Sequence, residues 1–314
     1  KTGYVKAIVG GRGEKTGSLT LNRATNTKRQ PGSCFKVLSS YAPALDTAGY
    51  TLASTIVDEP FNDINGRPVS NWWKTGYRGV STLREGIRDS MNIVTVKLLT
   101  AITPQLGFDY LQNFGFTTLV SNKTLNDGSV VSDVNQSLAL GGITYGVTNL
   151  ELCASYATIA NGGVYTEPVL YTKVLDHNGK VILESTPSTH TVIKESTAWL
   201  LTNAMEDVVT SGTGTACKVD GMTVAGKTGT TSNDYDLWFS GYTPYLTATI
   251  WTGYDENASL TNGSYHEYMW SKIVTRIDEA KKYTEDIGFQ MPDSVISAKI
   301  CTSSGKIAID GVCP

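Results

Sequence analysis

The chain has 314 residues, 40% of them hydrophobic and 18% charged, which is enough apolar material for one large domain or two intimate subdomains. A net charge of -3 supplies no basic field to hold phosphate backbones, so nucleic acid is excluded as an expected partner. No apolar run reaches the roughly 18 to 20 residues that span a bilayer, and Lys1 opens into strand-like sequence without a signal-peptide pattern, so the chain reads as a soluble, excised or processed part.

In chain order, the β-branched and apolar runs Tyr4 to Val9 and Ser18 to Leu21 around the turn Gly10-Gly11-Arg12-Gly13 predict a β-hairpin. From Ser33, the residues Phe35, Leu38, Ala42 and Leu45 recur at helical spacing until Gly49, behind the turn Pro31-Gly32. Pro43 predicts a kink or an early end there, with Ser33 in the undisturbed first turn. Thr82-x-x-Glu85 and Thr148-x-x-Glu151 read as capping boxes, and the helix opened by the second stops at Gly162-Gly163. A further helix is expected from about Thr197 to Val209. Met222 to Ala225, Leu237 to Tyr242 and Leu246 to Tyr254 then read as an antiparallel meander, and Met269 to Ala280 as a helix packed on it.

Strands at both ends with helices between them predict an α+β fold. Its antiparallel sheet draws on N- and C-terminal strands flanked by helices, with a mainly helical subdomain inserted at about residues 40–215. Residues 1–285 form the main domain in this reading, and 286–314 a short tail or appendage. Cys34, Cys153, Cys217, Cys301 and Cys313 contain no Cys-x-x-Cys and no Cys/His spacing suited to zinc, so no metal or other cofactor is expected. Cys301 and Cys313 close a short loop: a disulfide worth roughly 3 kcal/mol and two free thiols both fit the sequence.

The three histidines, His177, His190 and His266, sit in polar, loop-like sequence, and no Gly-x-Ser-x-Gly elbow occurs, which argues against a Ser-His-Asp hydrolase. A serine nucleophile then needs another base, and lysine qualifies where burial or a neighbouring cation makes its amine neutral. Ser33-Cys34-Phe35-Lys36 meets that need, because residues three apart on a helix share a face. Ser303-Ser304-Gly305-Lys306 has the same letters but no helical pattern behind it. Ser90-Met91-Asn92, between two helical runs, can present a hydroxyl and an amide to a cleft, or can simply cap a helix. Lys-Thr-Gly occurs four times, starting at Lys1, Lys15, Lys74 and Lys227. Only Lys227-Thr228-Gly229-Thr230 follows a short apolar strand, where it can lie along a sheet edge and hold a carboxylate and an extended peptide.

This ordered set resembles the Ser-x-x-Lys, Ser-x-Asn and Lys-Thr-Gly elements of β-lactamases and penicillin-binding proteins. The longer strings Arg29-Gln30-Pro31-Gly32-Ser33, Thr82-Leu83-Arg84-Glu85, Leu138-Ala139-Leu140-Gly141-Gly142 and Ala225-Gly226-Lys227-Thr228-Gly229-Thr230-Thr231 are similar to the transpeptidase domain of class A, bifunctional penicillin-binding proteins. The likeness extends to Trp251-Thr252-Gly253-Tyr254-Asp255. It implies a peptidoglycan D,D-transpeptidase at the extracytoplasmic face of the bacterial membrane, acting on donor and acceptor stem peptides and inhibited by β-lactam antibiotics. It further implies a membrane anchor and a glycosyltransferase domain in the full-length protein. By the same resemblance Ser33 is the nucleophile and Lys36 its base; Ser90, with Asn92 and Lys227 nearby, relays the proton; and Thr228, Gly229 and Thr230 hold the substrate, with an oxyanion between the backbone amides of Ser33 and Thr230. Cys34, inside the tetrapeptide, is expected to face the core.

Two kinds of alternative remain in the sequence. Gly221 to Thr228 satisfies the P-loop pattern Gly-x-x-x-x-Gly-Lys-Thr, and Ile56-Val57-Asp58-Glu59 imitates its acidic partner, but the turn residues after Gly229 would not sustain the helix a P-loop nucleotide-hydrolase needs. A D,D-carboxypeptidase, a β-lactamase or a non-catalytic β-lactam sensor would share the fold. Against the β-lactamase, Asn122-Lys123-Thr124-Leu125-Asn126 carries an amide where a deacylating glutamate would stand.

Overall fold

The computed structural model describes residues 2–313 other than residues 74, 262, 284 and 302, so Lys1 and Lys74, which open two of the Lys-Thr-Gly triplets, lie outside the described residues. Both predicted capping boxes form. Thr82 Oγ1 accepts from the Glu85 amide at 3.2 Å while Glu85 Oε2 accepts from the Thr82 amide at 2.7 Å, which satisfies two donors at the start of a helix reciprocally. Thr148 and Glu151 repeat the exchange at 3.2 and 2.9 Å.

The helix expected from Ser33 changes character along its length. Gly32–Cys34 is a 3-10 turn, Val37–Tyr41 is a π-helix, and helix α1 (Ala42–Asp46) is regular. Pro43 has no amide to give to a carbonyl four residues back. The turn before it widens instead, with the Ala42 amide bonding the Val37 carbonyl, so the chain passes Pro43 without stopping. Helices α2 (Leu83–Arg88), α3 (Asn92–Ile102), α4 (Pro104–Asn113), α5 (Asn149–Ala160) and α6 (Glu195–Thr210) follow, with short strand pairs between them. Two of those strands, β1 (Thr55–Asp58) and β2 (Gly79–Thr82), pair antiparallel just before α2.

The main sheet is antiparallel, in the order β3 (Ala225–Thr230), β4 (Asp236–Tyr242), β5 (Thr247–Gly253). Its first strand begins where the sequence reading ended it: Ala225 to Thr230 is strand, and Met222 belongs only to an isolated bridge with Val219. The expected N-terminal hairpin is not formed among the described residues. Tyr4 makes one parallel bridge to Val169, and the segment from Ile8 to Leu21 is strand-free and mostly exposed, so among the described residues the main sheet of this α+β fold is built from C-terminal strands. Val9 and Leu19, 80% and 104% exposed, have no layer to pack against, and β-prone residues without a surface to bury do not make a strand.

One face of the sheet carries the large helical core, in which Phe35, Leu38, Tyr41, Leu83, Tyr156, Leu201 and Trp238 are buried together. The other face carries helix α7 (Tyr265–Lys281), close to the expected 269–280. Trp270 stacks edge-on to Phe239 with ring centroids 5.0 Å apart and donates from Nε1 to the Ala248 carbonyl at 2.9 Å. No described helix is long and apolar enough to cross a membrane. Beyond α7 the described chain has neither helix nor strand. It is tied back where Trp199 Nε1 bonds the Phe289 carbonyl at 3.0 Å, and Cys301 and Cys313 are unbonded thiols. Trp270→Ala empties the contact between α7 and the sheet, and urea unfolding should read a loss of about 3 to 5 kcal/mol; a change under about 1 kcal/mol would show that α7 does not support the sheet.

Candidate active site

Ser33 lies in the 3-10 turn, half-buried, and that turn is clamped between two backbones. Gly32 has φ +53°, and a Cβ there would meet the Thr230 carbonyl oxygen at 2.7 Å, so only glycine lets the turn approach β3 this closely. Gly229 answers from the strand: a Cβ on it would strike the Pro31 carbonyl at 2.6 Å and Cys34 Sγ at 2.8 Å. Cys34 is buried as expected, with its carbonyl accepting from Tyr156 Oη at 2.8 Å; burial pushes its thiol up to about 12, which leaves it a packing group.

Three residues after Ser33, Lys36 is wholly buried. Its Nζ reaches the Ser90 carbonyl at 2.5 Å, Asn92 Oδ1 at 2.5 Å and Ser90 Oγ at 3.1 Å. Among the described residues no hydrogen bond joins Lys36 to the Ser33 hydroxyl, so the pair read from helical spacing shares a face while the amine is engaged across the cleft. Lys227, also wholly buried, donates from Nζ to the same Ser90 Oγ at 2.9 Å. Ser90 is held for this in a left-handed conformation, φ +53°, between α2 and α3. Such a backbone costs an L-residue on the order of 1 kcal/mol or more, and it turns the hydroxyl between the two amines.

Two cations this close cannot both be desolvated cheaply. Burial, and secondarily the neighbouring Lys227, drives Lys36 well below the ordinary lysine range. Burial also lowers Lys227, to about 8, against opposing pulls from Cys34 and Glu267. Glu267 on α7, which sequence reading did not single out, is pushed up to about 7 by burial while Lys227 draws it down. Burial thus weighs against the charged form of both amines, and for Lys36 the charge of Lys227 adds to it.

Thr228 and Gly229 lie inside β3 and Thr230 ends it, paired with Phe239, Trp238 and Leu237 on β4. Thr230 is exposed at the strand end, and Thr228 Oγ1 lies 2.7 Å from Thr213 Oγ1. Thr213 was missed in the sequence; the signal was Ser211-Gly212-Thr213-Gly214, a turn between a helix and the strand that carries the third motif. No helix starts at Lys227, so the P-loop pattern is not a P-loop. Residues 303–306 form a turn, Lys15 lies in an exposed loop, and Asn122 opens an exposed two-stranded hairpin whose Lys123 bonds Tyr145. His190 bonds the Asn113 carbonyl, His266 is buried beside Glu267, and His177 stands in an exposed turn.

A serine on a helical turn that touches an edge strand, with lysines in place of histidine, is the arrangement of a lysine-assisted serine acyl-transfer fold. The model of the penicillin binding protein transpeptidase domain matches residues 1–274, and the chain belongs to that family. It is 33% identical over 98% of its length to penicillin-binding protein 1A of Clostridium tetani, and 38% identical over 87% to that of Clostridium acetobutylicum. These relatives bear out the class A resemblance; the chain spans 40% and 34% of their respective lengths. Among solved structures it superposes on penicillin-binding protein 1A from Haemophilus influenzae with TM-score 0.76 at 24% identity, covering 93% of this chain and 48% of that one. PonA1 from Mycobacterium tuberculosis gives TM-score 0.74 at 26% identity, covering 89% and 75%. The Gly229 contact is testable directly. Gly229→Ala should lift the Ser33 turn from β3 at a cost of about 1 to 3 kcal/mol and slow acylation by a fluorescent penicillin; an unchanged labelling rate would mean the close approach is not needed.

Proposed function

We propose that this chain is a serine-type D,D-transpeptidase that cross-links peptidoglycan stem peptides through a Ser33 acyl-enzyme and is acylated by β-lactam antibiotics. The observation that carries the reading is the Ser90 hydroxyl gripped by two buried lysines beside the Ser33 turn and the edge of β3. A neutral Lys36 has two N–H bonds, which suit the two carbonyl-type oxygens at 2.5 Å, and one lone pair, which faces the hydroxyls of the cleft.

In the forward step Lys36 takes the Ser33 proton as Ser33 Oγ bonds the penultimate D-Ala carbonyl carbon. The oxyanion forms between the Ser33 and Thr230 amides, where preorganised donors stabilise it. Collapse breaks the amide bond, and the proton passes from Lys36 through Ser90 to the departing D-Ala amine. The amine of a second stem peptide then attacks the ester, gives up its proton by the same route and frees Ser33. Asn92 holds Lys36, and Lys227, with Thr228 and Thr230, faces the substrate or β-lactam carboxylate. The extended donor peptide lies along β3 by strand addition. PonA1 from Mycobacterium tuberculosis, 25% identical, has been solved in complex with penicillin V, which supports β-lactams as ligands of this fold.

In the same reading residues 1–285 are the working domain and 286–314 an appendage. The stem peptides place the domain at the extracytoplasmic face of the membrane, beside the anchor and glycosyltransferase domain of a class A parent. Ser33→Ala should abolish covalent labelling by fluorescent penicillin, and persistent labelling would remove Ser33 from its role. With a donor peptide and an acceptor amine, cross-linked product is expected; hydrolysis alone would mean a carboxypeptidase or β-lactamase, and no turnover a sensor. The second-order acylation rate, which reports the free enzyme, should fall as pH rises through about 8, because Lys227 is an ammonium below that value and loses its charge above it. A rate still climbing across that range would show that the Lys227 charge is not required.

A further inference from the structure

Helix α3 starts at Asn92, yet its N-cap residue, Met91, has no side chain able to accept from the first amides. The acceptor comes from 21 residues upstream: Asn71 Oδ1 takes the Asn92 amide at 2.9 Å and the Ile93 amide at 3.3 Å. Asn71 Nδ2 in turn donates to Asp58 Oδ1 at 2.8 Å, and Asp58 Oδ2 accepts the Arg78 amide at 2.8 Å. Asp58 is only 1% exposed, a carboxylate inside the protein that no step of the reaction uses.

These contacts fix the orientation of both amides. If Asn71 were flipped, its NH2 would face two backbone N–H donors and its oxygen the Asp58 carboxylate, so only the observed orientation satisfies every group. Asn92 is held in the same way: Nδ2 donates to the Ser70 carbonyl at 2.7 Å, which leaves Oδ1 pointing at Lys36 Nζ, 2.5 Å away. Residues 70 and 71 thus grip Asn92 by its backbone and by its side chain. The acceptor that Lys36 meets is set by a segment outside all three motifs.

We propose that Asn71, itself locked by the buried Asp58 carboxylate, is a positioning residue that sets Asn92 against Lys36 and so holds the base in its working place. This rests on the reading of Ser33 and Lys36 as nucleophile and base. It differs from a plain helix cap in a way that substitution can separate. Aspartate is as good a cap as asparagine and suits the positive end of a helix, so a cap alone would tolerate Asn71→Asp. A positioning pair would not, because Asn71→Asp sets two carboxylates against each other and removes the donor to Asp58. The exchange Asp58→Asn with Asn71→Asp restores one amide and one carboxylate in swapped places: the new amide donates to residue 71 and still accepts from Arg78.

The test measures the acylation rate with fluorescent penicillin, together with the thermal midpoint, for the wild type, both single variants and the exchange. Asn71→Asp is expected to slow acylation about ten- to a hundred-fold, the usual consequence of a base displaced by a fraction of an ångström to an ångström. Asp58→Asn alone should also slow it, because its amide can satisfy either Asn71 or the Arg78 N–H but not both; this variant carries the test if Asn71→Asp does not fold. The exchange should return the rate towards that of the wild type. Wild-type rates in either single variant, or an exchange that folds with a wild-type midpoint and stays slow, would overturn the inference while leaving the functional reading intact. A wild-type chain that does not label at all would end the functional reading and this inference with it.

Discussion

Two wholly buried lysine amines meet at one serine hydroxyl, and the rest of the structure is arranged to make that tolerable. A lysine is not buried for stability, since desolvating an ammonium costs far more than packing its methylenes returns. Burial and the neighbouring Lys227 drive Lys36 towards its neutral form, and the Ser90 carbonyl and Asn92 Oδ1 accept from its amine. Lys227 keeps its proton with Glu267 beneath it on the far layer. In the proposed mechanism that difference is the chemical resource of the site: Lys36 acts as the base, and Lys227 as a charge that faces a carboxylate.

The layers exist to hold these groups from separate directions. The helical core supplies Lys36 from just ahead of the widened turn and Ser90 from the strained junction of α2 and α3. The sheet supplies Lys227 from β3, and Trp270 braces the sheet from behind through Phe239. Gly32 on the turn and Gly229 on the strand let backbone meet backbone between the two halves, as the proposed oxyanion site between amides from each side requires. The left-handed Ser90 fits the same economy, in which strain is concentrated where geometry matters and is held by its surroundings.

What could be read in the sequence was what depends on near neighbours. The capping boxes at Thr82 and Thr148 are closed by side chains three residues apart and formed as expected. Ser33 and Lys36 were visible for the same reason, and Ser90 and Asn92 through the resemblance, but spacing alone could not join Lys36 to Ser90, 54 residues away. The third motif was placed correctly and its strand was not: Gly226 and Gly229 look like breakers, yet close packing on Phe239 and on the Ser33 turn requires them inside β3. The N-terminal apolar runs misled in the opposite sense, because Val9 and Leu19 are residue types that favour a strand and have no layer to bury them. Asn71 carried no local pattern and Thr213 only a glycine-flanked turn, and the fold brings them to Asn92 and Thr228.

The claim at the centre is that Lys36 is neutral while Lys227 is charged in the resting protein at neutral pH. Nitrogen-15 NMR of the lysine Nζ atoms, followed across pH and assigned with Lys36→Arg and Lys227→Arg, reads this directly. A Lys36 signal at the position of a free amine at pH 7, and a Lys227 signal that titrates near 8, is the expected result. A Lys36 signal that remains that of an ammonium up to the ordinary lysine range would contradict it.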